Sequence, residues 1–128
     1  MKAADRRRIH RTIEEWKLML GLSEWTITVS DKEPATGRIA EVQFKRDLRV
    51  AEVRFRPGVV GQPALENLSL LHELLHLTPL FDEWDDQLRD NALLENSQRH
   101  LLENILDDVA RWILTANGAK FPVPSVAG

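Results

Sequence analysis

The stretch LLHELLHLTPLF, residues 70–81, decides how the rest of the chain is read. His72 and His76 stand four apart, Glu73 directly follows the first histidine, and leucines occupy the positions around them. Spacing of four puts both imidazoles on one face of a helix, a turn apart, where they can share one ion. Glu73 is rotated by about 100° from His72, so its carboxylate misses that ion and still reaches a water beside it. Leu70, Leu71, Leu74, Leu75 and Leu77 anchor such a helix and keep the site dry, which strengthens electrostatic interactions within it. The run matches H-E-x-x-H on an independently expected helix, and its uncharged flanks favour a metal helix over two surface histidines.

The helical pattern around this motif extends from Pro63 to about Thr78. Pro63 suits a first turn, Leu65, Leu68, Leu71 and Leu75 form the stripe expected to be buried, and Pro79 ends it. Upstream, residues 5–20 repeat Ile9, Ile13, Trp16 and Leu20 at helical spacing, with Asp5 as the expected N-cap and Gly21 as the stop. WTITVS, residues 25–30, alternates apolar and polar as a half-buried strand does. Residues 38–44 and 48–55 follow as strands, joined by the short polar connection Lys45-Arg46-Asp47. Leu48 and Val50 share one parity, while Ala51, Val53 and Phe55 share the other, and a bulge near Val50 would reconcile them. Past the acidic loop FDEWDD, a last helix is expected from about Asp86 to Ala116, with Asn117-Gly118 as its stop. Pro122 and Pro124 keep the tail, about 117–128, irregular. Helix, three strands and two helices make an α+β fold with a small antiparallel three-stranded sheet.

A chain of 128 residues, 43% of them hydrophobic, suits one domain with a core that needs no covalent staples. It has no cysteine, which excludes disulfides, thiolate metal sites and a cysteine nucleophile. A net charge of −3 and a pI near 5.8 argue against nucleic acid as a general partner. The one basic run, Arg6-Arg7-Arg8, is expected to be a solvated helix end. No apolar run approaches the ~20 residues that span a bilayer, and the charged N-terminus is unlike a secretory signal. These features lead to the expectation of a cytoplasmic protein.

Two histidines leave a metal shell short of a third protein ligand. Glu103 sits among Leu101, Leu102, Ile105 and Leu106, where a carboxylate is costly without a partner. His100 lies three residues before it and Asp107 four after, all on one helical face. Glu103 is therefore the leading third ligand, with Glu95 and His100 as rivals, and Asp107 can accept the free ring N–H of a ligand histidine. Two imidazoles and a carboxylate suit Zn2+ better than manganese or iron.

With these residues in view, the sequence resembles the zincin metallopeptidases, and more narrowly the minimal gluzincins, several of which are phage or prophage proteins. The matching elements are His72-Glu73-Leu74-Leu75-His76 and Glu103-Asn104-Ile105-Leu106-Asp107, and the likeness runs from the N-terminal helix to about Ile113. The resemblance implies zinc held by His72, His76 and Glu103, Glu73 as general base, and Asp107 as the partner of His72. It implies hydrolysis of peptide bonds, with a peptide or protein substrate added as a strand along 38–44 or 48–55. A phage-encoded relative would act in the host cytoplasm. The chain has no tyrosine, so His100 or an arginine is left to stabilise an oxyanion. The alternative to an enzyme is a non-catalytic, zinc-stabilised binding module acting on a host partner.

Overall fold

The computed structural model describes residues 1–79, 81 and 96–118. Three helices and a three-stranded sheet make an α+β fold. Helix α1 spans Ala3–Leu20, strands β1, β2 and β3 span Thr26–Val29, Ala40–Lys45 and Val50–Phe55, and helices α2 and α3 span Pro63–Leu75 and Asn96–Ala116. A 3-10 turn, Pro57–Val59, links β3 to α2. The expected stretch of the last helix from Asp86, the acidic loop after Phe81, Glu95 and the tail past Gly118 lie outside the described residues.

Helix α1 buries Ile9, Ile13 and Trp16, one apolar side chain per turn. It ends at Gly21, which takes the left-handed conformation (φ 72°) and returns its N–H to the Lys17 carbonyl. Its N-cap is Lys2 rather than Asp5, which lies in the first turn and pairs with Arg8 at 2.6 Å. The basic run is not merely solvated. The Arg6 guanidinium donates to the Val29 carbonyl and meets Asp31, and that of Arg8 reaches the buried carboxylate of Glu66 at 2.5 Å. These ion pairs tie α1 to the end of β1 and to the start of α2.

The sheet corrects an expectation of direction. Its order is β1-β3-β2, with β2 antiparallel to β3 but β1 parallel to it. Val29 lies opposite Val53 and Ala40 opposite Phe55, so β1 ends and β2 begins at the same end of the sheet. Residues 30–39 need only bridge across the end of β3, which then fills the central place. Alternating polarity reports which face is buried, not which way a neighbour runs.

No bulge is needed near Val50. The register runs unbroken from Ala40↔Phe55 to Lys45↔Val50. Ala51, Val53 and Phe55 are buried, while Leu48 falls in the connecting turn and is exposed with Val50. That turn occupies residues 46–49, and Arg49 adopts a positive φ of 52° within it.

Helix α1 packs on β1, and α2 packs on β2 and α3. Leu68, Leu70, Leu71, Leu74 and Leu75 are all buried, whereas Leu65 is only partly so. Helix α3 buries Leu102, Leu106, Ala110 and Leu114 at a strict spacing of four, with Ile105, Val109 and Ile113 at its margin. Such a stripe leaves 103 and 107 beside the buried seam, facing along α2. No helix among the described residues is long and apolar enough to cross a membrane.

Candidate metal centre

The packing of α3 on α2 brings Glu103 and Asp107 to the histidines of the opening motif. His72 is buried and lies between two carboxylates. Its Nδ1 is 2.6 Å from Asp107 Oδ1, and its Nε2 is 2.5 Å from Glu103 Oε2. The His76 ring lies 5.4 Å from that of His72, centroid to centroid, and its Nε2 is 3.4 Å from Glu103 Oε1. One ligand atom each from His72, His76 and Glu103 lies within 4.8 Å of the others, the one such grouping among the described residues.

This donor set fits a divalent ion. Two donors about 2.0–2.1 Å from a tetrahedral zinc stand about 3.4 Å apart. His76 Nε2 has that separation, 3.4 Å, from one Glu103 oxygen, Oε1. His72 Nε2 is 2.5 Å from the other, Oε2, and that contact must open by a little under one ångström, a small swing for a glutamate whose side chain is 44% exposed. Asp107 accepts the hydrogen bond of His72 Nδ1–H, which turns Nε2 toward Glu103 and His76 and leaves it as the ring atom that would meet an ion.

Glu73 stands apart from the triad. Its carboxylate is buried, with Oε2 3.8 Å from His72 Nε2. Burial pushes its pKa up to about 7, against the pull of positive charge on His72, His76 and Arg38. A carboxyl poised there can hold or release a proton near neutral pH, as general-base work requires. Burial alone would lower the His72 pKa, but hydrogen bonds to Asp107 and Glu103 outweigh it and raise the ring to about 10. Glu103 moves the other way: burial is overcome by its hydrogen bonds to both histidines, and its carboxyl falls well below the usual range.

The other expected residues separate. His100 is exposed, one turn before Glu103, and lies outside the grouping of ligand atoms. Glu95 lies outside the described residues. Of the two segments considered for strand addition, 48–55 becomes the central strand and has no free edge, while 38–44 becomes β2, an edge strand packed on α2.

Two arginines, neither singled out by the local sequence pattern, bear on the site. Arg38 is exposed, just ahead of β2, and its charge is felt at Glu73. Arg46 lies in the β2–β3 turn and donates to the carbonyls of His76 and Leu77. Local patterns mark Arg46 only as part of a polar turn. Its role depends on how the hairpin meets the end of α2. Comparison of the chain with protein-family models, with curated proteins and with solved structures finds no match in any of the three.

Proposed function

We propose that the chain is a zinc-dependent metallopeptidase of minimal gluzincin type. The observation that carries this reading is the meeting of His72, His76 and Glu103 donor atoms beside a buried carboxylate, Glu73, that is not one of the three. His72 Nε2, His76 Nε2 and a Glu103 oxygen would hold the ion, and zinc once bound supplies Lewis acidity, acidifying water and polarising a carbonyl. Glu73 accepts the proton of the attacking water and delivers it to the leaving amine. Asp107 holds the His72 ring through Nδ1 and keeps its basic nitrogen turned inward. The leucines packed around α2 shield His72 and Glu73 from solvent, which strengthens electrostatic interactions on that side of the site. The peptide lies along the open edge of β2, whose backbone N–H and C=O groups hydrogen-bond to it as to another strand. Arg38, whose positive charge favours the ionised form of Glu73, would meet negative charge developing on the substrate.

One observation favours a second reading. The three ligands come from α2 and α3 together, so an ion there would also staple the two helices, as in a non-catalytic zinc-stabilised module. The same experiment separates the two. The zinc-loaded chain is incubated with a peptide library, alone, with chelator, and with zinc restored. Cleavage that chelation abolishes and zinc restores supports the peptidase. One bound zinc with an uncut library supports the module.

A further inference from the structure

His76 is the C-cap of α2, at φ −59° and ψ −26°, where the helix tightens into 3-10-like turns. A helix end leaves its last carbonyls without intrahelical donors. Here they are satisfied in sequence. The Glu73 carbonyl accepts from His76 N–H at 3.2 Å, that of Leu74 from Leu77 N–H at 3.0 Å, and that of Leu75 from both Thr78 N–H and its hydroxyl. The next two carbonyls accept from one side chain: Arg46 Nη2 donates to His76 O at 3.4 Å and Nη1 to Leu77 O at 3.3 Å. The guanidinium carbon lies 4.8 Å from the centroid of the Phe44 ring, in β2, and 6.0 Å from that of Trp25, just before β1, so two aromatic rings flank the fork. A cation at this end is also favoured by the helix dipole.

We propose that Arg46 is a positioning residue for the metal centre, holding the backbone at His76 so that its imidazole meets His72 and Glu103. This rests on the reading of those three residues as ligands of one ion. Metal–ligand distances tolerate only about 0.2 Å of error, and an unsupported last turn frays by more. Lysine would replace the arginine only in part: it keeps the positive charge at the helix end, but a single ammonium does not present two fixed, parallel donors to successive carbonyls.

The test uses the full chain as wild type, R46Q, R46K and E66Q. The last breaks the Arg8 ion pair at the opposite end of α2 and serves as the stability control. Zinc affinity is measured by chelator competition, and the shell is probed by the visible absorption of the cobalt-substituted protein. The expected result is a loss of zinc affinity of about tenfold or more in R46Q, with weaker, higher-coordinate cobalt absorption. R46K should show a smaller loss in the same direction, and E66Q should lose thermal stability while keeping its affinity and cobalt spectrum. Zinc affinity in R46Q equal to wild type overturns the proposal, as does an equal loss in E66Q. If R46Q fails to fold, R46K decides by the same comparison. A wild-type chain that takes up no zinc overturns the metal centre itself, which is a different failure.

Discussion

Asp107 Oδ1 lies 2.6 Å from Nδ1 of His72, so the opposite ring nitrogen is the one that faces Glu103 and His76. The two residues come from different helices, 35 positions apart. Their hydrogen bond orients a buried ring that a turn of α2 alone would leave free to flip.

That bond should carry affinity. Asp107→Asn should cost about 10–100-fold in zinc binding, because an amide stabilises the ring's basic nitrogen less well than a carboxylate. Glu103→Ala removes a donor outright and should weaken binding further. Zinc content and chelator competition on both purified variants rank the two effects. A ranking in which Asp107 matters more than Glu103 would contradict the assignment.

Glu73→Gln should retain zinc one to one and lose at least about 10²-fold in peptide hydrolysis, since the amide cannot take the proton. Metal analysis and turnover on the same preparation check both halves. Activity close to wild type would remove Glu73 from its role.

Zinc binding should release protons. The metal-free His72 ring, with its pKa near 10, is an imidazolium at neutral pH, and a zinc ligand must be neutral. Apparent affinity should therefore rise with pH up to about 10, by about tenfold per unit for each proton displaced. Calorimetry in buffers of different ionisation enthalpy counts those protons, and binding that is flat from pH 7 to 9 would rule the displacement out.

The metal-free fold should depend on pH through the same groups. The raised His72 pKa means that its contribution is complete below the ordinary histidine value of about 6.5 and is lost as pH rises through about 10. Glu103, held low, contributes above the ordinary carboxylate range and loses that contribution in acid. Glu73 opposes this: its pKa near 7 means that folding favours its protonated form, so its ionisation lowers stability as pH rises toward 7. Urea unfolding of the metal-free chain should show a decline between pH 7 and 10, and Asp107→Asn should flatten it.

The core beneath the site should be sensitive to volume. Leu74 and Leu106 are both at 0% exposure, one on each of the helices that bring His72 and Glu103 together. Replacing either with alanine should cost about 2–5 kcal/mol in denaturant unfolding.

Much of the fold was legible because its signals are local. Helix α1, its stop at Gly21, the three strands and the Pro63 start of α2 follow from apolar period and from glycine and proline chemistry. The motif from His72 to His76 was equally plain, because helical spacing fixes which side chains share a face. Strand direction was not legible, since parallel and antiparallel neighbours of β3 demand the same alternation. Nor was the true function of the basic run: Arg8 looked like a solvated charge until α2 brought Glu66 against it, 58 positions away.

What the sequence determined by itself was the pair of imidazoles and the adjacent carboxylate, because backbone geometry within one helix sets their relation. It also put Glu103 and Asp107 forward as their partners, with Glu95 and His100 as rivals for the ligand place, and the tertiary structure brings Glu103 and Asp107 to the histidines. Glu103 and Asp107 meet His72 because α3 packs its stripe of Leu102, Leu106 and Ala110 onto α2 in one register, and Arg46 reaches His76 because a hairpin turn ends beside the last turn of that helix. Such contacts follow from how apolar surfaces fit together over long sequence separations, which no local pattern encodes.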